Sequence, residues 1–257
     1  MGVDVIGVPY HLDEYLPELD FPLRPDAVVT GDLPIGDVWD RMAFLYGEVA
    51  RAVAERPAER PAERPPVVQS GDCTTSLGTV AGLQSAGNDP GIVWFDAHGD
   101  VQTPETTASG YVGGFPLRLL AGYRPELIAD RLGLRPVAEH RILLTGARDL
   151  DPPEVTYLAT AQIRRCEVPD LTASLLPEGP LYVHVDLDVI DSAALPGLRY
   201  PVPGGPAPGQ VAGALRMILG TGRVAAVGIA CTWYPGHAAA ERVAAYLERA
   251  LGGVSRA

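Results

Sequence analysis

Six short apolar runs alternate along the chain with segments of helical or loop-like pattern. They are VDVIGVP (3–9), PVVQSG (66–71), GIVWFDAH (91–98), RILLTGAR (141–148), GPLYVHVDLDV (179–189) and VAAVGIACTW (224–233). Apolar runs of this length that alternate with helices are typical of strands in a parallel sheet covered on both faces. The pattern therefore predicts an α/β fold with three α/β/α layers and a mostly parallel sheet.

Two longer segments, 38–56 and 237–253, carry apolar residues at steps of three and four positions. This spacing gives a helix one apolar face, and Gly252 and Gly253 suit the end of the second helix. Both segments are expected to cover the sheet. No change in composition marks a second domain, so residues 1–257 are predicted to form one domain.

The repeat ERPAERPAERPP (55–66) interrupts this pattern. Its prolines cannot continue the helix before it, because proline lacks a backbone donor and clashes with the preceding turn. We expect an exposed linker here. The alternative is a Pro-rich docking site for a partner, but the repeat has no aromatic residue that could anchor one.

Composition and charge narrow the classes of partner. The 257 residues are 47% hydrophobic, which suffices for a large core, and the formal net charge is −12. An acidic chain lacks the basic surface that grips nucleic-acid phosphates, and no window of about 20 residues is continuously apolar. Neither a nucleic acid nor a membrane is expected as a partner. The first residues carry no basic segment ahead of their apolar stretch, so we expect a cytoplasmic protein.

Lysine is absent, so all 20 basic residues are arginine. This excludes a Schiff-base lysine, a pyridoxal-phosphate enzyme and a phosphate-binding P-loop. The cysteines Cys73, Cys166 and Cys231 are odd in number and show no CxxC spacing, which argues against a disulfide framework and a zinc ribbon. We expect all three to be reduced.

Two acidic motifs each follow an apolar run. Asp96, His98 and Asp100 lie two positions apart in DAHGD, and Asp186 and Asp188 repeat the spacing in HVDLD. If the strands continue through these motifs, a period of two puts each set on one side, at the carboxyl end of a parallel sheet. Four aspartates crowded there would repel one another unless cations lay between them, so two divalent metals are the economical explanation. The alternative is two separate sets of strand-end caps.

Three motifs carry a resemblance to a known family. With SGDC (70–73), DAHGD (96–100) and HVDLD (184–188) in this order, nearly the whole chain resembles the ureohydrolases, the superfamily of arginase and agmatinase. The resemblance implies an arginase-like fold and two divalent ions, in that family manganese. It implies the metal ligands Cys73, Asp96, His98, Asp100, Asp186 and Asp188. Asp100 would also be the catalytic residue, accepting a hydrogen bond from a metal-bound hydroxide.

Two further segments, TPETTASG (103–110) and RDLDPPE (148–154), are similar to those with which arginases hold an amino acid. This likeness assigns Gln102 and Ser109 to the substrate's α-carboxylate, and Asp151 and Glu154 to its α-ammonium group. An acidic pair is what an ammonium group needs. An amino-acid-like small molecule is therefore the expected partner.

Two positions depart from the family pattern, one at a metal ligand and one at the residue that transfers a proton. Cys73 replaces a histidine, and a thiolate donor makes zinc or iron alternatives to manganese. Gly113 stands where the family has a proton-shuttling histidine. The candidate substitutes for that histidine are His11, His184 and His237.

The third departure concerns the part of the substrate that is hydrolysed. The glutamate that pairs with a guanidinium in arginases should lie within 228–236, but this stretch has no carboxylate. Cys231 or Thr232 takes its place, and we assign Cys231 to substrate binding. A guanidinium would then be held without its counter-ion, so plain arginine is expected to be a poor substrate.

The cysteine and glycine variants resemble most the branch of Nω-hydroxy-L-arginine amidinohydrolases. A hydroxyguanidine is a weaker base than a guanidine and carries a better leaving group, so it needs less help from a shuttle histidine. The predicted function is hydrolysis, by metal-bound hydroxide, of a C–N bond in an N-hydroxyguanidino or guanidino group on an amino-acid-like substrate. The alternatives are a hydrolase of a neutral ureido or amide amino acid, and a non-catalytic arginase-like partner protein. Whether the protein forms a homo-oligomer stays open.

Overall fold

The computed structural model describes residues 5–55 and 65–252. All six apolar runs contain a strand, and four further strands are short. The strands are β1 (Val5–Val8), β2 (Tyr10–His11), β3 (Glu14–Tyr15), β4 (Ala27–Val28), β5 (Val67–Ser70), β6 (Gly91–Phe95), β7 (Ile142–Thr145), β8 (Arg164–Cys166), β9 (Leu181–Asp186) and β10 (Val224–Ala230).

Eight of these strands form one sheet in the order β4-β1-β5-β10-β9-β6-β7-β8, while β2 and β3 pair as a hairpin. Every pairing described within the large sheet is parallel. This confirms the prediction of a mostly parallel sheet. The register brings Ser70, Ala230 and Asp186 side by side, and it pairs Phe95 with Val185. The carboxyl ends of β5, β10, β9 and β6 therefore lie together.

Helices cover both faces of the sheet, which confirms the three-layer architecture. The helices are α1 (Val38–Ala54), α2 (Ser76–Ser85), α3 (Pro116–Leu120), α4 (Ala129–Leu132), α5 (Pro152–Leu158), α6 (Pro208–Leu219) and α7 (Ala239–Ala250). One core joins one face of the strands to α1 through α4, and the other joins the opposite face to α6 and α7. Side chains that alternate along each strand enter the two cores in turn.

Helix α1 follows from its sequence. Asp37 caps its first turn by accepting a hydrogen bond of 2.9 Å from the backbone of Asp40, whose side chain bonds back to the backbone of Asp37 at 3.2 Å. The apolar positions predicted at three- and four-residue steps, among them Met42, Leu45 and Val49, are buried against the sheet. The helix ends at Ala54, two residues before the predicted end.

The Glu-Arg-Pro repeat falls mostly on residues 56–64, which lie outside the described residues. At its borders Glu55 is exposed, whereas Pro65 and Pro66 are buried just before β5. The backbone carbonyl of Pro66 accepts a hydrogen bond of 2.9 Å from Val227. The linker itself stays a prediction.

Two other expectations from composition have structural counterparts. Cys73, Cys166 and Cys231 are all free, as predicted. Within residues 5–55 and 65–252, no helix has both the length and the apolar character that a membrane crossing requires.

Candidate metal centre and substrate pocket

Three strands end in the same kind of turn, and this turn places the acidic motifs. In each turn, an aspartate accepts a hydrogen bond from the backbone N–H two residues further on. The three pairs are Asp72 with Thr74 at 2.7 Å after β5, Asp96 with His98 at 2.7 Å after β6, and Asp186 with Asp188 at 2.8 Å after β9. Each turn folds the chain back at the edge of the sheet, so that the following side chain stays near the strand end.

The first motif differs from its prediction in one respect. Strand β6 ends at Phe95, so Asp96, His98 and Asp100 do not share a side through continued strand alternation. A loop brings them together instead, and Asp100 adopts a left-handed backbone conformation with φ of 55°. Aspartate tolerates this conformation better than most residues. The backbone carbonyl of Asp100 accepts hydrogen bonds of 3.0 Å from Leu117 and 3.2 Å from Arg118, at the start of α3.

Two groups of metal-type donors lie at this edge of the sheet. In each group the donor atoms lie within 4.8 Å of one another. The first group is Cys73, Asp96 and Asp186, and the second is Asp96, His98 and Asp188. The Cys73 thiol lies 2.8 Å from Oδ2 of Asp186, and Nδ1 of His98 lies 3.1 Å from Oδ2 of Asp188. Asp96 belongs to both groups, so five of the six predicted metal ligands form one continuous cluster.

Asp100, the sixth predicted ligand, lies beside this cluster. Its side chain is buried, and Oδ2 has no hydrogen-bond partner among the described residues. Burial raises the pKa of this carboxyl, and the negative charges of Asp96 and Asp186 raise it further. A buried carboxylate oxygen without a partner is costly, so this atom is suited to a cation or to a proton.

The charge states of the cluster reflect its crowding. Burial raises the pKa of Asp186, and of Asp188 to about 6, with neighbouring carboxylates adding to both shifts. Burial lowers the pKa of His98, but the hydrogen bonds that His98 donates to Asp188 and Asp96 outweigh it and raise the value to about 12. Burial and the charge of Asp186 also raise the pKa of the Cys73 thiol. The cluster therefore favours groups that bring positive charge.

A second layer of side chains orients the carboxylates. Trp94 donates a hydrogen bond of 3.0 Å from Nε1 to Oδ2 of Asp96, and Thr232 donates one of 2.7 Å to Oδ1 of Asp186. His184 stacks on Trp94 with ring centroids 3.8 Å apart, and its Nδ1 lies 2.9 Å from Oγ of Ser76. Burial lowers the pKa of His184 to about 3, so this imidazole is neutral. Groups that hold metal ligands in this way commonly tune the affinity of the site.

A pocket of about 140 Å³ opens beside the cluster. Five of the predicted ligands line it, namely Cys73, His98, Asp100, Asp186 and Asp188. All four residues predicted to hold the amino-acid end of the substrate also line it, namely Gln102, Ser109, Asp151 and Glu154. The structure thus brings together the candidate metal cluster and the candidate residues for the amino-acid end.

The acidic pair of the pocket is held at the start of α5. Glu154 accepts backbone hydrogen bonds of 3.1 Å from Asp151 and 3.2 Å from Val101, and burial raises its pKa. Gln102 donates a hydrogen bond of 2.8 Å from Nε2 to Oδ2 of Asp151. Ser109 is exposed and accepts a hydrogen bond of 3.2 Å from the backbone of Tyr111. The carboxylate of Glu154 is thus occupied by backbone hydrogen bonds, whereas the Asp151 side chain is exposed at the pocket.

Cys231 does not reach this pocket. Strand β10 ends at Ala230, and the Cys231 side chain is completely buried in the core on the side of α6 and α7. The next residue, Thr232, lines the pocket instead. Of the two residues that sequence spacing allowed at the family's glutamate position, Thr232 is the one beside the cluster.

The candidate shuttle histidines differ in position. His184 lies behind Trp94, and His237 is exposed and does not line the described pocket. His11 contacts the pocket wall through Tyr111, whose hydroxyl lies 3.0 Å from its Nε2. Sequence reasoning missed Tyr111 and Tyr200, both of which line the pocket. The signal for Tyr111 was the glycine two residues later, where the family has a histidine.

Comparison with known proteins identifies the family of the chain. A family model described as the arginase family matches residues 8–232. The arginase of Bacillus subtilis (strain 168) is 31% identical over an alignment of 153 residues, and the match covers 54% of this chain and 52% of that protein. The N(omega)-hydroxy-L-arginine amidinohydrolase of Streptomyces lavendulae is 32% identical over an alignment of 149 residues, and the match covers 56% of this chain and 52% of that protein. The chain spans about half the length of these curated relatives in the matched regions.

Solved structures agree on the fold. The crystal structure of arginase from Bacillus subtilis superposes with a TM-score of 0.81 at 24% identity, covering 100% of both chains. The formimidoylglutamase of Bacillus subtilis gives a TM-score of 0.68 at 17% identity, covering 96% of this chain and 85% of that one. Likeness at these identities shows the fold, and the family model spans most of the sequence. The chain belongs to the arginase family.

Proposed function

We propose that this protein is a hydrolase that uses two divalent ions to cleave a C–N bond in an N-hydroxyguanidino or guanidino group on an amino-acid-like substrate. The observation that carries the proposal is the shared carboxylate of Asp96, which belongs to both donor groups. A carboxylate common to both groups would help to hold both ions. The pocket beside it leads to the residues suited to an amino acid's charged end.

The donor set fits divalent ions. Imidazole and carboxylate donors suit manganese, and the Cys73 thiol adds a soft donor that also suits zinc or iron. The unpartnered Oδ2 of Asp100 gains a partner if an ion lies beside it. Cations would also relieve the repulsion that raises the pKa of Asp186 and Asp188. These features support metal binding by Cys73, Asp96, His98, Asp100, Asp186 and Asp188.

The residues around the ions would accept a proton and hold the metal ligands in place. Divalent ions held here would supply Lewis acidity and lower the pKa of a water molecule. Asp100 would accept a hydrogen bond from the attacking water through its carboxylate and hold the proton until the leaving nitrogen takes it. Trp94 and Thr232 would keep Asp96 and Asp186 in place through their hydrogen bonds.

The far end of the pocket would bind the α-ammonium and α-carboxylate groups of the substrate, here called its tail. Asp151 supplies a carboxylate for the ammonium group. Glu154 fixes Asp151 by accepting a hydrogen bond from the backbone N–H of Asp151. Ser109 and Gln102 supply polar groups for the carboxylate. A charge-assisted hydrogen bond to an ammonium group is about twice as strong as a neutral one.

The hydrolysed nitrogen-carbon group, here called the head, meets a neutral residue. Thr232 stands beside Asp186 where a carboxylate would be needed to pair with a guanidinium. Burial of a full positive charge without a partner is costly. We therefore propose that the less basic Nω-hydroxy-L-arginine is preferred to L-arginine. The same observation favours, as second candidate, a neutral ureido or amide amino acid.

The test is a substrate screen with the full chain loaded with manganese, and in parallel with zinc or iron. The substrates are L-arginine, Nω-hydroxy-L-arginine, agmatine, and formimino- and ureido-amino acids, with urea, hydroxyurea and ammonia measured. We expect Nω-hydroxy-L-arginine to be turned over fastest, and agmatine, which lacks the α-carboxylate, to be poor. Asp100→Asn should lower kcat about 100-fold or more, whereas Asp130→Asn on exposed α4 should not. Absence of product from every compound would refute the proposal.

A further inference from the structure

Tyr111 fills the space that a side chain on Gly113 would need. A Cβ atom placed on Gly113 would lie 2.1 Å from Cζ of Tyr111 and 2.2 Å from its hydroxyl oxygen. Carbon atoms cannot approach so closely, so any other residue at position 113 would displace the ring. Both residues line the pocket beside Cys73 and Asp100. The Tyr111 ring can therefore occupy this position only because residue 113 is glycine.

A chain of two hydrogen bonds fixes the direction of the Tyr111 hydroxyl. Nδ1 of His11 lies 3.0 Å from the backbone carbonyl oxygen of Gly71, and Nε2 lies 3.0 Å from the Tyr111 hydroxyl. A carbonyl oxygen can only accept, so Nδ1 is the nitrogen that donates, and in this tautomer Nε2 is a bare acceptor. The Tyr111 hydroxyl must then donate its hydrogen to Nε2.

The Tyr111 hydroxyl also keeps that hydrogen. Burial raises the pKa of Tyr111, and the negative charge of Asp72 raises it further. The rings of His11 and Tyr111 stack with centroids 5.8 Å apart and planes inclined by 14°. The two rings therefore pack together, with the Tyr111 hydroxyl as hydrogen-bond donor and Nε2 of His11 as acceptor.

His11 is fixed in turn by the strand that leads to Cys73. The backbone N–H of Gly71 donates a hydrogen bond of 2.9 Å to Tyr10, and the backbone N–H of Leu12 donates one of 2.6 Å to Oδ2 of Asp72. A Cβ atom on Gly71 would lie only 2.4 Å from the carbonyl oxygen of Tyr10, so this contact requires glycine. The hairpin that carries His11 is thereby joined to the end of β5.

We propose that His11 holds Tyr111 as a hydrogen-bond acceptor for the head of the substrate. Because the hydroxyl hydrogen points to His11, the oxygen offers lone pairs to the pocket. Amidino N–H and N–O–H groups can donate to it, whereas a carbonyl oxygen cannot. Tyr111 is then a specificity residue in contact with the substrate, and His11 is a positioning residue. The nature of the head rests on the proposed function.

Which nitrogen of His11 carries the hydrogen, and hence the direction of its hydrogen bond with Tyr111, can be measured without any substrate. Long-range ¹H–¹⁵N correlation of the imidazole rings in the full chain distinguishes the two neutral tautomers, and the His11→Gln variant assigns the signals. We expect His11 to carry its hydrogen on Nδ1. A hydrogen on Nε2 would make Tyr111 the acceptor from His11 and would overturn the inference.

Kinetics test the contact with the substrate. With the best amidino substrate of the screen, Tyr111→Phe and His11→Ala should each raise KM about three- to tenfold with a smaller change in kcat, as expected for loss of one hydrogen bond. His11→Gln offers an acceptor again and should restore KM in part, which a purely structural role of His11 would not predict. Tyr246→Phe removes a hydroxyl from α7, where the side chain does not line the described pocket, and is the matched control.

The outcomes separate this inference from the proposed function. An unchanged KM for Tyr111→Phe, or an equal rise for Tyr246→Phe, would overturn the role of Tyr111 while leaving hydrolysis intact. A wild-type protein that hydrolyses none of the amidino compounds would refute the proposed function. The tautomer measurement would still decide whether His11 holds Tyr111 as an acceptor.

Discussion

The hydroxyl of Thr232 donates a hydrogen bond of 2.7 Å to Oδ1 of Asp186. A neutral side chain thus lies against a carboxylate of the metal cluster, at the position where arginine recognition would need a negative charge. The hydrogen bond also fixes Asp186, so Thr232 affects both the cluster and the pocket.

Thr232→Glu should therefore shift substrate preference toward L-arginine. The new carboxylate can pair with a guanidinium, and the ratio of kcat/KM for L-arginine to that for Nω-hydroxy-L-arginine should rise by about tenfold or more, equivalent to about 1.4 kcal/mol. Metal content is measured in parallel, because the variant also loses the bond to Asp186. An unchanged ratio at full metal content would contradict the idea that a neutral residue sets the preference.

Cys231→Glu is the informative comparison, because the two positions are adjacent but differ in environment. Cys231 is completely buried in the core, so a glutamate there would be a charge without a partner. We expect this variant to lose more than about 3 kcal/mol of unfolding free energy and to gain no arginine activity. Denaturant unfolding measures the loss, and a stable Cys231→Glu protein with arginase activity would place the head near Cys231 instead.

Cys73 should determine which ion the site prefers. Replacement by histidine should keep or raise the manganese content, whereas replacement by alanine should lower it, because the donor group of Asp96 and Asp186 loses its third member. Elemental analysis after dialysis against each metal measures the content. Equal metal content in wild type and both variants would show that Cys73 is an inert core thiol.

Trp94 should affect metal affinity without being a ligand. Its Nε1–H donates to Oδ2 of Asp96, which belongs to both donor groups. Trp94→Phe keeps an aromatic ring in the core but removes this bond, and we expect the affinity for the ions to fall about 10- to 100-fold. Titration calorimetry with manganese measures the change. Trp39→Phe, in partly buried α1, is the matched control and should leave the affinity unchanged.

Metal binding should stabilise the fold, because the donors come from loops that follow different strands. At a free metal concentration about 100 times Kd, the expected gain is about 2.7 kcal/mol, or about 5 to 10 °C in Tm for a chain of this size. A chelator should reverse the gain, and Asp96→Asn should abolish it. Identical melting curves with and without manganese would contradict metal binding by this cluster.

Asp151 should recognise the substrate tail. Asp151→Asn removes the charge that an α-ammonium group would meet, so KM should rise about tenfold for α-amino acids. For an analogue that lacks the α-amino group, KM should not change. Asp170→Asn, also an exposed aspartate, serves as control. A rise of KM for both kinds of substrate would indicate a change of the loop and not a lost contact.

The main strands could be predicted from the sequence because burial on both faces leaves a continuous apolar run. The short strands β4 and β8 could not, since Ala27 and Val28 are exposed and Arg165 is polar and exposed. Their strand conformation comes from pairing at the edges of the sheet. Local pattern alone cannot report such pairing.

The part of the site that lies within short sequence motifs could be predicted. The aspartate turns after β6 and β9 keep each motif's donors close, so spacing along the chain sufficed for them. The choice between Cys231 and Thr232 depended on where β10 ends, a boundary that sequence fixes only within a few residues. The contact of His11 with Tyr111 spans 100 residues of sequence, and only the folded chain reveals it.

The candidate metal donors and Thr232 lie at or follow the ends of four strands that lie next to one another, β5, β10, β9 and β6. Backbone hydrogen bonds hold neighbouring strands about 4.8 Å apart, whatever side chains they carry. The spacing between donor positions is thus a property of the peptide scaffold, and the softness of each donor is a property of a single residue. We expect that exchange of a single donor on this sheet, such as the candidate ligand Cys73, changes the preferred ion with no change of architecture.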